Sequence, residues 1–229
     1  MNIETNLSLV GEQIAQLERQ YQRNAGSVRL LAVSKTKPLE AIRAAYQAGQ
    51  RLFGENYVQE AVEKHSALTD LVGIEWHFIG PIQSNKSRVI AQTMDWVHTI
   101  DREKIARRLS EQRPDDMPKL NVCIQVNISG EESKSGISLE SLPEMVSLVK
   151  SLPNLQLRGL MAIPAPQEDE AKQMAVYRPL SQAYLELASS DSMIDTLSIG
   201  MSGDLSAAIA SGSTMVRVGT AIFGARDYI

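Results

Sequence analysis

Eight short apolar runs recur along this 229-residue chain with helix-period segments between them, and that alternation constrains the fold more than any other feature. The runs lie near 28–34, 51–54, 76–79, 96–100, 121–128, 156–163, 196–199 and 215–218. Helical periodicity fills 39–48, 57–68, 102–111, 139–151 and 171–188. An amphipathic helix opens the chain, with Leu7, Val10, Ile14 and Leu17 along one stripe. Local punctuation agrees: Pro38 suits a first helical turn, Gly49 and Gly212 sit where helices should stop, and Asp101 can cap the helix that follows it. Strands separated by helices run parallel, because each crossover returns the chain to the same end of the sheet. Eight such units without a linker-like Pro/Gly/Ser stretch predict one α/β domain over 1–229. The expected architecture is a (β/α)8 barrel of the TIM type with an extra N-terminal helix. Periodicity does not show closure, so an open doubly wound sheet is the alternative.

Composition narrows the class. At 43% hydrophobic residues the chain can bury a substantial core, and its net charge of −4 with interspersed signs disfavours nucleic acid. The basic residues Arg102, Lys104, Arg107 and Arg108 alternate with Asp101 and Glu103 as on a solvated helix face. Cys123 is the single cysteine and lies inside "LNVCIQVNI", where it reads as a buried small hydrophobe. The start lacks a signal-peptide pattern and no segment has the length of a bilayer span, so the expectation is a soluble, reducing, cytoplasmic setting without membrane contact.

In a barrel the chemistry gathers at the C-terminal ends of the strands. Those ends read Lys35, Glu55–Asn56, Gly80–Pro81, Asp101, Asn127–Ser129, Met161, Gly200–Met201–Ser202 and Arg217–Gly219–Thr220. Lys35 shares parity with Leu31 and Val33, so it should emerge from the lumen wall at the rim. Desolvation there, with Lys37 nearby, would favour the neutral amine that carbonyl condensation requires. A surface lysine with a snorkelling stem is the plainer alternative. The loops "SIGMSGDL" and "VRVGTAIFGAR" bring small residues and hydroxyls after strands seven and eight, where barrels often hold phosphate. Together with a rim lysine they suggest a phosphorylated carbonyl compound, a description that pyridoxal phosphate fits. His65, His77 and His98 lack metal-ligand spacing, so no metal is expected, and His77 and His98 read as packing residues in strands.

The stretches "AVSKTKP", "FGENYVQE", "WHFIGPIQSNK", "SKSGI", "RGLMAI", "GMSGD" and "STMVRVGTAIFGARDY" resemble the YggS/PROSC family of pyridoxal phosphate homeostasis proteins. The resemblance implies a barrel like the N-terminal domain of alanine racemase. It further implies that Lys35 forms the internal aldimine with pyridoxal 5'-phosphate. Ser202, Gly219 and Thr220 would hold the phosphate with Met201 beside them, Arg217 would face the pyridine nitrogen, and Asn56 would line the pocket. Lys134, in "SKSGI", matches a shared lysine of a mobile loop, where it could exchange the cofactor or only contact solvent. His77 belongs to a shared motif but receives no chemistry.

An arginine at the ring nitrogen donates only, which leaves that nitrogen unprotonated and weakens the ring as an electron sink. Racemisation also needs a base on each face of the substrate. Alanine racemases take the second from another domain, and this chain ends at Ile229 just after strand eight. Tyr57 or Lys37 could substitute. The expected function is therefore a non-catalytic, monomeric carrier that buffers, sequesters or delivers the cofactor to acceptor enzymes. A racemase or other weak Cα-chemistry enzyme is the alternative, and a Schiff-base aldolase the third reading.

Overall fold

The chain is described from a computed structural model covering residues 2–132 and 135–225. Each apolar run becomes a strand: β1 (Arg29–Val33), β2 (Leu52–Glu55), β3 (Glu75–Phe78), β4 (Trp96–Ile100), β5 (Leu120–Gln125), β6 (Leu155–Met161), β7 (Thr196–Ser198) and β8 (Met215–Val218). They pair in parallel in chain order, and β1 closes on β8 with Arg29 opposite Met215 and Leu31 opposite Arg217. The closed barrel replaces the open-sheet alternative.

The helices are α1 (Ile3–Gln20), α2 (Leu39–Gln47), α3 (Val58–Ala67), α4 (Ser87–Thr93), α5 (Glu103–Gln112), α6 (Leu142–Ser151), α7 (Glu170–Ser190), α8 (Leu205–Ala210) and α9 (Thr220–Phe223). Among the described residues, β8 is followed by the single turn of α9. α1 completes the outer layer there, packing against α2, α8 and α9 through the stripe that buries Val10, Ile14 and Leu17. Asn6 Nδ2 donates to the Ile222 carbonyl at 2.9 Å, and Glu18 accepts from the amide of Val28 at 2.9 Å, which ties α1 to the entry of β1.

Two local expectations change. Two strands stop well short of their apolar runs at the C-terminal end, while β4 and β8 end as expected. β5 ends at Gln125 and β6 at Met161, because the residues beyond them leave the ladder for the rim loops. Asp101 does not cap α5: Arg102 is the N-cap residue, and Asp101 Oδ2 instead accepts from the Gly136 amide at 3.0 Å, pinning the loop after β5. Gly49 ends α2 as expected, with a positive φ of 101° just past the last turn.

Side chains alternate between the barrel interior and the helical layer. The outer set forms one large apolar core with the helices. Inside lie two small apolar clusters, Leu31 with Ile79 and Met215, and Trp96 with Cys123 and Met161. Burial pushes the Cys123 thiol well above its ordinary value, so it stays protonated and inert. The interior also carries fully buried polar groups: His77, His98, Ser198 and Arg217. Among the described residues no helix is long and apolar enough to cross a membrane, and no three His, Cys, Asp or Glu side chains group as a metal site.

The barrel leaves no room at Gly159, whose Cβ, if present, would stand 1.6 Å from the Thr196 carbonyl oxygen on β7. Gly159→Ala is expected to cost about 3 kcal/mol or more, read as a lower urea midpoint at unchanged slope. An unchanged midpoint would show that β6 and β7 can part without penalty.

Candidate functional site

β1 delivers its chain to the rim and then turns sharply. Ser34 still donates its amide to the Gly54 carbonyl at 3.0 Å, and Lys37 closes the turn by donating its amide to the Ser34 carbonyl at 3.1 Å. Half-buried Lys35 sits between them, followed by Thr36 in the left-handed region at φ 63°. A non-glycine residue there is strained, and such strain persists only where surroundings impose it. Here the surroundings are α3. Glu60 Oε1 accepts from the Thr36 amide at 2.6 Å, and Lys64 Nζ donates to the Ser34 carbonyl at 2.6 Å.

Lys64 is 4% exposed and also meets Glu55 Oε1 at 2.7 Å and Glu60 Oε1 at 2.6 Å. Ser34 Oγ donates to the same Glu55 oxygen at 2.6 Å. Burial pushes the Glu55 carboxyl up, and the charge and hydrogen bonds of Lys64 and Ser34 draw it back. This buried ion pair underpins the turn that presents Lys35.

The opposite wall is made by the loops after β7 and β8. Met201 donates its amide to Asp204 Oδ1 at 2.8 Å, and Asp204 returns its amide to the Met201 carbonyl at 3.2 Å, which folds 201–204 into a tight turn. Asp204 is held in turn by the hydroxyl of Tyr177 on α7. Gly219 brings the next loop against β1: a Cβ on it would lie 3.2 Å from the Val33 carbonyl oxygen. Arg217, 3% exposed, forms the floor. Its Nη1 donates to the Ser198 carbonyl at 2.7 Å and to Ser198 Oγ at 2.8 Å, and its Nη2 to the Ala162 carbonyl at 3.0 Å.

Between these walls lies a cavity of about 350 Å3. Every candidate residue lines it: Lys35, Asn56, Met201, Ser202, Arg217, Gly219 and Thr220. Lys37 lines it too, with Nζ donating to the Ala225 carbonyl at 2.7 Å. Asn56 is fixed from behind, since a Cβ on Gly80 would fall 2.0 Å from the Asn56 carbonyl oxygen, and its Oδ1 is buried without a hydrogen-bond partner. Tyr57 is not brought in. It is 53% exposed at the start of α3 and does not line the cavity. Lys134 lies outside the described residues. His77 is fully buried below the cavity rather than in its wall.

Sequence reasoning missed Glu60 and Lys64. Their i, i+4 spacing is visible in the sequence, but the side of α3 that turns inward is set by packing, where Ala61 and Lys64 are buried.

A lysine in the turn after the first strand, facing glycine and hydroxyl loops after the last two, fits a barrel of the alanine racemase type. The family model described as "Alanine racemase, N-terminal domain" matches residues 10–227. A protein of Escherichia coli (strain K12) named "Pyridoxal phosphate homeostasis protein" is 56% identical over 229 residues, covering 99% of this chain and 98% of its own. A protein of the same name from Pseudomonas aeruginosa is 56% identical over 226 residues, covering 99% and 96%. Among solved structures, PipY of Synechococcus elongatus with PLP bound is 37% identical with a TM-score of 0.80, covering 92% of this chain and 100% of its own. Alanine racemase of Clostridium difficile shares the fold alone, at 17% identity and a TM-score of 0.72, with 98% of this chain matching 56% of it. The chain belongs to the alanine racemase N-terminal domain family and, within it, to the pyridoxal phosphate homeostasis proteins.

Lys64→Met would leave the Glu55 carboxylate buried without its cation, at an expected cost of about 3 kcal/mol near pH 8. Without Lys64 the Glu55 carboxyl rises further, so the folded protein binds that proton more tightly than the unfolded chain. The variant's deficit should therefore shrink as pH falls toward about 5. Denaturant melts of both proteins across that range check it, and a deficit that does not vary with pH would contradict the assignment.

Proposed function

We propose that this protein holds pyridoxal 5'-phosphate in the rim cavity and buffers or delivers it, in a cytoplasmic setting and as a monomer, without catalysing a reaction on it. The observation that carries the reading is the composition of one cavity. An amine-bearing side chain, two hydroxyl-bearing glycine loops and a buried guanidinium converge on a space of about 350 Å3, within the range of small-ligand pockets. The cofactor named by the relatives has the matching parts: aldehyde, phosphate and a nitrogen ring. Asn56 Oδ1, buried and unmatched on the wall, leaves an acceptor that a polar ligand would satisfy.

Lys35 would be the covalent anchor, held at the rim by the α3 contacts on either side of it. Ser202, Thr220 and the amides around Gly203 and Gly219 would receive the phosphate, where small residues let the backbone approach an anion. Met201, Asn56, Ile79 and Ile163 would flank the ring. When bound, pyridoxal phosphate supplies an aldehyde that a neutral amine condenses with, water leaving, and a conjugated ring.

The same residues favour a carrier over an enzyme. Arg217 can only donate and keeps its proton, so against a ring nitrogen it offers a hydrogen bond and withholds a proton. Burial lowers its pKa, opposed by the charges of Tyr177 and Asp204. Among the described lining residues the titratable side chains are Lys35, Lys37 and Arg217, and Lys37 is engaged with the Ala225 carbonyl. Among the described residues, a second general base at the Cα of an amino acid would come from this set.

Incubation with pyridoxal phosphate, borohydride reduction and mass spectrometry test the anchor. The wild-type chain should gain one cofactor mass on Lys35. Lys35→Ala should lose that adduct while keeping weaker, phosphate-dependent binding. An adduct of equal yield in the variant would overturn the assignment.

A further inference from the structure

Between the cavity floor and the opposite mouth of the barrel, the interior holds a chain of hydrogen bonds that no ligand contact accounts for. Arg217 Nη1 donates to Ser198 Oγ at 2.8 Å. Ser198 Oγ lies 2.8 Å from His98 Nδ1, His98 Nε2 lies 2.8 Å from His77 Nδ1, and His77 Nε2 lies 3.0 Å from Glu75 Oε1. Glu75 then pairs with Arg29 at 3.2 Å, where the side chains regain solvent at 29% and 42% exposure. Ser198, His98 and His77 are 0% exposed. The chain draws on β8, β7, β4 and β3, so it crosses the lumen instead of following a strand. His77 also stacks on Trp96, at 5.1 Å and 14°, which fixes the plane of its ring.

The two ends determine the direction of every proton. A guanidinium only donates, so Ser198 Oγ accepts from it. A carboxylate only accepts, so His77 must present Nε2–H to Glu75. Neutral His77 then offers a lone pair at Nδ1, which takes Nε2–H from His98. Neutral His98 offers its own Nδ1 lone pair, which takes the Ser198 hydroxyl proton. All four bonds point from Arg217 to Glu75. The reverse tautomer of either neutral ring would set lone pair against lone pair, or hydrogen against hydrogen. Burial pushes both imidazoles below their ordinary value, and the nearby cations Arg217 and Arg29 lower His98 further. Burial would raise the Glu75 carboxyl, but the His77 hydrogen bond and Arg29 outweigh it and hold it at about 2.

We propose that Ser198, His98, His77 and Glu75 are positioning residues for Arg217: one polarised relay orients the guanidinium in the cavity floor and couples cofactor retention to the Arg29–Glu75 pair at the far mouth. The coupling rests on the reading that Arg217 backs the bound ring. The two carbonyls that Arg217 also meets would keep it nearby without the relay. What the relay adds is the third contact that sets the plane of the guanidinium, strengthened because each donor along the chain is polarised by the next.

The first arm of the test needs no cofactor. In 15N NMR of the full chain at neutral pH, with His77 and His98 assigned by single substitutions, both rings should be protonated at Nε2 and bare at Nδ1. Either ring protonated at Nδ1 would overturn the relay. The second arm compares release of pyridoxal phosphate from the loaded protein. Ser198→Ala, which cuts the chain beside Arg217, and Glu75→Leu, which removes its far acceptor, should both release it roughly tenfold faster and shift its absorption maximum. Glu75→Gln keeps a carbonyl acceptor for His77 and should stay near the wild-type rate. Unchanged release in Ser198→Ala and Glu75→Leu, with the wild type binding normally, would overturn the relay alone. A wild type that binds no pyridoxal phosphate would sink the functional reading and the coupling with it, while the tautomers would still judge the chain.

Discussion

The pairing of β1 with β8 is the contact on which the rest of this structure turns. A parallel sheet of eight strands has two open edges until that ladder forms, and both edges carry the site. β1 ends in the turn that presents Lys35, and β8 carries Arg217 and leads into Gly219 and Thr220. Register sets Leu31 opposite Arg217, and Gly219 then passes so close to the Val33 carbonyl that a side chain there would press on β1. Residues from opposite ends of the chain thereby become walls of one cavity.

The barrel interior follows from the same constraint. Small barrels are filled by side chains, mostly apolar, but this lumen buries a guanidinium, two imidazoles and a serine hydroxyl. Such groups are tolerated when each finds a partner and are costly when one does not. The sequence of donors from Arg217 to Glu75 meets that condition by running until it reaches an anion with access to water. At the rim the same accounting is done with charge, as Lys64 compensates the buried Glu55 and so supports the strained turn at Thr36. Stability and site geometry thus share residues.

Much of this was legible in the sequence, for a physical reason. Strand ends can be located by apolar period, and in a barrel they all converge on one rim, so Lys35, Asn56, Met201, Ser202, Arg217, Gly219 and Thr220 could be placed together without knowing any distance. Contacts that depend on which way a side chain turns were not legible. Asp101 had the residue type and place of a cap yet spends its carboxylate on the Gly136 amide. Glu60 and Lys64 show their i, i+4 spacing in the sequence, but not that their side chains turn inward. Tyr57 belongs to a motif beside Asn56 yet points outward. The histidine chain was least accessible: its members stand 21 and 100 residues apart, and each alone reads as a packing residue.

Whether the pocket holds pyridoxal phosphate without working on it is tested most directly by proton exchange at carbon. Cofactor-loaded protein would be incubated with L- and D-amino acids in heavy water, and deuterium at Cα compared with that produced by free pyridoxal phosphate. A carrier should show no excess over the free cofactor across the panel. Excess exchange that disappears in Lys35→Ala would contradict the carrier reading and establish a catalyst whose second base remains to be found.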